Sequence, residues 1–211
     1  MFVGKVRRPS LKELRPDWKA LKVMVKATAR ALGDDGLLRA IVREFEAGGA
    51  KVRAPHEILT SLLAVEGVYG RIKPDRQARI DIARGVAAAK AIGGLAIGQA
   101  AVVQQGVVLG LEAIEGTDAL IARAGALQRQ GPKGVLVKVP KPGQERRIDL
   151  PAIGADTVEK IAKAGLGGIA VEAGGALVID RAKVAACADA LGVFVVGIAA
   201  GESGAGSDAR P

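Results

Sequence analysis

From residue 100 to residue 198 the chain alternates short apolar runs of strand length with segments of helical period, and that alternation restricts it to α/β folds. Residues 134–139 read as a buried strand, and 169–172, 176–179 and 193–198 as further strands, with Ala173-Gly174-Gly175 between the first two of these. The runs 100–104 and 106–113 are separated by a turn and predict a hairpin. Between the strands, Glu115-Gly116-Thr117-Asp118 opens a short helix ending near Arg123. Asp156-x-x-Glu159 has the form of a capping box for a helix ended by Gly165, and Asp180 caps a helix reaching Leu191. Pro140-Lys141-Pro142-Gly143 is a stiff loop behind the 134–139 strand.

The front of the chain is more helical. Residues 4–10 read as a strand end running into a loop. Asp17 caps a helix to Leu32, with Trp18, Leu21, Val25 and Ala29 at helical spacing. Asp34 or Asp35 caps a second helix carrying Leu38, Ile41, Val42 and Phe45, ended by Gly48-Gly49. A short strand is expected at 51–53, then a polar, irregular stretch to Pro74. Asp75 starts a helix that buries Ile82, Val86, Ala89 and Ile92. A boundary at Gly93-Gly94 is expected to separate residues 1–93 from an α/β domain at 94–199, with 200–211 a Gly/Ser/Asp tail.

Composition removes several classes. Of 211 residues 49% are hydrophobic but only 2% aromatic, so the core must be packed with Ala, Val, Leu and Ile, and a disordered chain is excluded. The single cysteine, Cys187, and single histidine, His56, exclude a disulfide framework, multi-cysteine zinc sites and most catalytic triads. His56 reads as a loop or core residue and Cys187 as packing. The N-terminus is basic without an apolar core, which predicts no signal peptide, and no apolar run has the ~18 residues of a membrane span. The expectation is a soluble cytoplasmic protein. Residues 1–53 hold 13 basic and 6 acidic side chains, and 131–150 hold 5 and 2, a balance that suits a polyanion, a phosphorylated ligand or an anionic membrane surface. Five dispersed aromatics are too few for a base-stacking platform, so nucleic acid is not the expected partner.

No phosphate-binding P-loop, dinucleotide fingerprint, nucleophile elbow or H-E-x-x-H is present. What remains are polar residues on apolar elements. Glu112 follows the run 107–111 and is followed by Glu115, Thr117 and Asp118. A carboxylate there needs a partner, and helix capping by Thr117 or Asp118 is the competing reading. Lys138, Lys141, Gln144, Arg146, Arg147 and Asp149 form a second set in KVPKPGQERRIDLP. Rigidly displayed cations suit a pyrophosphate, and an ionised Asp149 among them suits Mg²⁺ or an oriented water; an exposed basic loop with Asp149 in a salt bridge is the alternative. Glu172, at a strand end before a Gly pair, is the third candidate, with a solvated edge residue as its alternative.

These residues carry a resemblance. Ile97-Gly98-Gln99, Glu112-Ala113-x-Glu115-Gly116-Thr117-Asp118-Ala119, Lys138-x-Pro140-Lys141-Pro142-x-Gln144-x-Arg146, Asp149-Leu150-Pro151-x-Ile153-Gly154 and Ala164-Gly165-Leu166-x-Gly168-Ile169-Ala170-x-Glu172-Ala173-Gly174 resemble the LpxI family over about residues 3 to 198. The family comprises UDP-2,3-diacylglucosamine pyrophosphatases of lipid A biosynthesis. The resemblance implies a Rossmann-like N-terminal domain joined to a C-terminal α/β domain. It implies hydrolysis of UDP-2,3-diacylglucosamine to lipid X and UMP, by attack at the sugar-side phosphorus, with Mg²⁺ or Mn²⁺. It further implies that residues 1–93 are an N-terminally shortened, partial Rossmann-like segment with linker helices, and that 94–199 form a catalytic domain with a mixed sheet.

The family's key aspartate lies in R-x-D-L-P, which here is Arg147-Ile148-Asp149-Leu150-Pro151. Asp149 is thereby the expected catalytic residue and a metal ligand, with Glu112, Glu115 and Glu172 as further candidate ligands. Gln99, Thr117, Asp118, Lys138, Lys141, Gln144 and Arg147 are the expected substrate-binding set. The partners implied are the lipid substrate and product, a transient contact with the inner-membrane surface from a cytoplasmic, peripheral location, no nucleic acid, and a homodimer as an open alternative. A non-enzymatic module binding phosphate, nucleic acid or lipid, and an inactive shortened homologue, are the competing functions.

Overall fold

The computed structural model describes residues 34–200, so the two elements expected between residue 4 and Leu32, and the tail after Gly201, lie outside the described residues. The chain divides into two compact units, Met1–Val52 and Arg53–Pro211. In the first unit the described element is α1 (Asp34–Ala47), with Val42 buried. Gly49, at φ +88°, ends it as the glycine pair predicts, and Ala50 N–H donates back to the Phe45 carbonyl at 3.0 Å. The strand expected at 51–53 is not formed: these residues belong to no regular element.

The second unit opens with a four-residue helix α2 (Pro55–Ile58) and a 3-10 turn at Thr60–Leu62, so the stretch before Pro74 is more ordered than its polar sequence suggests. Strand β1 (Gly67–Val68) follows, then α3 (Arg76–Gly94), whose first turn is capped by Asp75 Oδ1 accepting from Ala78 N–H at 2.7 Å. Next come β2 (Ala100–Gln104), β3 (Val107–Leu111), α4 (Gly116–Ala126), β4 (Val135–Lys138), β5 (Ala152–Ile153), α5 (Ala155–Lys163), β6 (Gly168–Glu172), β7 (Leu177–Val178), α6 (Arg181–Leu191) and β8 (Phe194–Ile198). The β2–β3 hairpin is the predicted one. Gln105 and Gly106 both have positive φ (52° and 76°), the two-residue turn that matches strand twist.

Six strands form one mixed sheet in the order β1-β8-β6-β4-β2-β3. The central β4, β6 and β8 are parallel, and β1, β2 and β3 join through antiparallel pairings. The expected strand at 176–179 does not enter this sheet. Its core, β7, pairs in parallel with β5 in a separate two-stranded ladder. Alternate residues of the central strands supply two apolar layers. Val102, Leu136, Ile169, Val171 and Val195 face Leu120, Ile121, Val158, Ile161, Val184 and Ala188 of α4, α5 and α6. Ala101, Val135, Val137, Ala170, Phe194 and Val196 face Ala78, Ile82, Val86 and Ala89 of α3.

The α3 layer is close because Gly85 lies over β4, where a Cβ would come within 2.4 Å of Val137 Cγ2. The helix expected from Asp156 begins two residues earlier: Gly154 is the cap, and its N–H reaches Thr157 Oγ1 at 3.4 Å. Asp180 caps α6 as predicted, its Oδ1 accepting from Lys183 N–H at 3.1 Å.

Candidate active site

Strand direction fixes which end of this sheet holds the chemistry. The parallel strands β4 and β6 terminate at Lys138 and Glu172, and β2, running the other way, begins with Ala100 opposite Lys138. Gln99 therefore precedes β2 at the same end, and β3 returns there, Leu111 pairing with Ala101 and Glu112 N–H donating to the Ala100 carbonyl at 2.9 Å. Gln99, Glu112, Lys138 and Glu172 thus line one edge, the carboxyl ends of the parallel strands, where α/β sheets present ligand crevices.

The loop after β4 folds back over this edge. Lys141 N–H donates to Gln144 Oε1 at 2.8 Å, and Gln144 Nε2 donates to Gln99 Oε1 at 3.2 Å and to Asp149 Oδ2 at 2.7 Å. Asp149 is half-buried, its backbone N–H bonded to the Glu145 carbonyl at 3.0 Å, and no hydrogen bond from a described residue reaches its Oδ1. Arg146 Nη2 donates to the Gly174 carbonyl, stitching this loop to the turn behind β6. There Gly175 has no room for a side chain: a Cβ would stand 2.7 Å from Glu172 Oε1 and 3.0 Å from Pro140 Cγ.

Lys138 is only 9% exposed, on the last residue of β4, and its Nζ reaches the Ala152 carbonyl at 3.3 Å. Alternation puts Lys138 on the α4–α6 face of the sheet and Glu172 on the α3 face, where Glu172 Oε2 lies 3.8 Å from Lys90 Nζ. Lys141 forms no ion pair with a described residue.

Glu112 is 7% exposed and has both oxygens in use: Oε2 accepts from Gln99 N–H at 3.0 Å, and Oε1 from the Thr117 hydroxyl at 2.5 Å. Thr117 and Asp118 do not cap α4. Glu115 holds the cap position without a side-chain cap bond, and instead pairs with Arg123 at 2.6 Å, whose guanidinium holds its carboxyl below the usual range. Asp118 pairs with Lys160 at 2.8 Å, and Lys160 also reaches Asp156 at 2.5 Å; these hydrogen bonds push the Lys160 ammonium up from its ordinary value. Arg147 is gripped by Glu145, with Nε to Oε1 and Nη2 to Oε2 both at 2.9 Å, a bidentate fork.

The structure therefore brings Gln99, Thr117, Glu112, Gln144, Lys141 and Asp149 into one connected polar group, with Lys138 on the adjoining strand end. It does not gather the four carboxylates named for a metal. Glu112 is consumed by its two donors, Glu115 by Arg123, and Glu172 faces α3; among the described residues no three His, Cys, Asp or Glu side chains converge as a metal cage. Glu145, partner of Arg147, and Lys90, partner of Glu172, were not anticipated. The first sits two residues from its partner, within reach of a local reading, and the second needs the fold. His56 lies on α2. Cys187 is half-buried on α6, with burial pushing its thiol up, as packing requires.

These features define the class: an α/β domain with a mixed sheet, its polar cluster set at the carboxyl edge under a proline-bounded loop. The comparisons narrow it. A family model described as the LpxI C-terminal domain matches residues 65–196, and one described as the LpxI N-terminal domain matches residues 1–62. The chain is 44% identical over 204 residues to the UDP-2,3-diacylglucosamine pyrophosphatase LpxI of Caulobacter vibrioides, a match covering 93% of this chain and 73% of that protein. The chain belongs to the LpxI family.

Proposed function

We propose that this chain hydrolyses the pyrophosphate bond of UDP-2,3-diacylglucosamine, giving lipid X and UMP in lipid A biosynthesis. The relative from Caulobacter vibrioides bears that activity in its name. The observation that carries the reading is Asp149: a carboxylate oriented through Oδ2 by Gln144, with Oδ1 left without a bond from any described residue, at the edge of the sheet that ends in Lys138. Water adds to the sugar-side phosphorus, the bridging P–O bond breaks, and UMP leaves with the bridging oxygen.

The residues divide the work by chemistry. Lys138 and Lys141 offset the phosphate charge as the bridging bond breaks, and holding them at a strand end and in a proline-bounded loop limits reorganisation during the reaction. Asp149 orients the water and accepts its proton. Gln99 and Thr117 complete the polar wall, whereas Asp118 and Arg147 are drawn off by Lys160 and Glu145. With no three-ligand cage among the described residues, Mg²⁺ or Mn²⁺ would be held by the Asp149 carboxylate, whose Oδ1 takes no bond from a described residue. Such an ion supplies charge neutralisation at the phosphates.

No helix among the described residues is long and apolar enough to cross a membrane. A diacylated substrate is met at the inner face of the membrane, so a peripheral, cytoplasmic location accompanies this reading. Incubation of the chain with UDP-2,3-diacylglucosamine in ¹⁸O-water tests it. The expected products are unlabelled UMP and lipid X carrying one ¹⁸O; label in UMP, or no UMP release, contradicts it.

A further inference from the structure

We infer that Gln144 is a positioning residue that acts through Asp149 and does not touch substrate. This rests on the function proposed above and changes the role expected for Gln144 as part of the substrate-binding set.

The residue is 7% exposed and the polar capacity of its side chain is spent within the protein. A primary amide offers two N–H donors and one carbonyl acceptor. Both donors of Gln144 are used, on Gln99 Oε1 at 3.2 Å and Asp149 Oδ2 at 2.7 Å, and Oε1 accepts Lys141 N–H at 2.8 Å. No donor remains for a phosphate oxygen. The amide cannot be turned over either: a flip would set its oxygen against two acceptors and its nitrogen against the Lys141 N–H.

Its orientation is transmitted from further away. Gln99 is fixed through its backbone N–H by Glu112, which is fixed in turn by the Thr117 hydroxyl at the start of α4. The series Thr117, Glu112, Gln99, Gln144, Asp149 runs from helix to loop and ends on the reacting carboxylate. Its consequence at Asp149 is specific. Oδ2 is committed to Gln144, so Oδ1 is the oxygen available for water or cation. Misplacing a reacting group by about 1 Å can cost about 100-fold in rate, so a positioning role of this kind is visible in kcat.

Two substitutions separate this role from simple bracing of the loop. Gln144→Ala removes every contact. Gln144→Glu keeps an acceptor for Lys141 N–H but replaces the donor to Asp149 with a second carboxylate. The expected result is a kcat lowered about 10- to 100-fold in Gln144→Ala with KM nearly unchanged, and a loss at least as large in Gln144→Glu, with thermal unfolding showing both variants folded. A Gln144→Glu enzyme close to wild type, or a Gln144→Ala enzyme with raised KM and intact kcat, overturns the inference.

A readout independent of turnover keeps the two proposals apart. In ¹⁵N-labelled protein, Asp149→Ala should shift the side-chain NH₂ signals of Gln144 upfield, because one proton loses its charged acceptor. Unmoved signals overturn the inference. A wild-type protein that releases no UMP while Asp149→Ala produces this shift overturns the functional reading and leaves the contact standing.

Discussion

Glu112 Oε2 stands 3.0 Å from the backbone nitrogen of Gln99, and its other oxygen holds the Thr117 hydroxyl at 2.5 Å, so one buried carboxylate joins the start of β2 to the start of α4. A hydrogen-bonded charge in such a position contributes more than a neutral pair, and removing it leaves a shielded N–H without a partner. Glu112→Ala should therefore lose about 2 kcal/mol of stability in urea unfolding. Glu112→Gln can still accept from Gln99 and donate to Thr117 Oγ, so its loss should be less than half as large. Equal losses in the two variants would contradict this account of the site's frame.

Gly98 stands where the same frame comes closest to itself. A Cβ on it would lie 2.1 Å from the Glu112 carbonyl oxygen and 3.1 Å from Glu112 Cβ, a backbone clash that no rotamer relieves. Gly98→Ala should lower stability by about 3 kcal/mol and reduce UMP release, because the approach of Gln99 to Glu112 is forced open. Urea unfolding and a turnover assay on the same preparation check both halves. A variant of wild-type stability would show that this close approach is not required.

Asp189 supplies the pH dependence that the shifts support. Its Oδ1 accepts Arg71 N–H at 2.7 Å and its Oδ2 lies 3.1 Å from Arg71 Nε, and these bonds hold the carboxyl below its ordinary value. A carboxyl lowered by folding stabilises the native state above its unfolded pKa and loses that contribution as pH falls through its folded pKa. Asp189→Asn should therefore be less stable than wild type at neutral pH, with the difference shrinking as acidification passes the ordinary carboxylate range and goes below it. Urea midpoints of both proteins across that range measure it. A constant difference, or one that grows in acid, would contradict the pairing.

Much of the second unit was legible because its signals are local. Alternation, the Asp75 and Asp180 caps and the turn between the hairpin strands all act within a few positions, and each element they predict is present. What was not legible depends on contacts distant in sequence. The strand at 176–179 has the composition of a sheet strand, yet only pairing with β5 decides that it stands apart. Asp156 resembles a cap, but the turn from β5 brings Gly154 to that place first.

At the site, the residue types were readable and their partners were not. Asp118 and Glu115 look like ligand-binding groups in sequence, and only the fold delivers Lys160 and Arg123 to occupy them. Asp81 shows the reverse case. It was not singled out, yet it is fully buried and accepts Gln105 N–H at 2.9 Å and Gly106 N–H at 2.7 Å, pinning the hairpin turn to α3. Its position three residues after Ala78 and four before Gly85 was the available signal for an inward-facing carboxylate.

The role of Asp149 is tested most directly by Asp149→Ala, assayed for UMP release and separately for retention of UDP-2,3-diacylglucosamine. The expected outcome is a kcat lowered by about 10³-fold or more, with substrate still bound at near wild-type affinity. Undiminished turnover in that variant would contradict the mechanism.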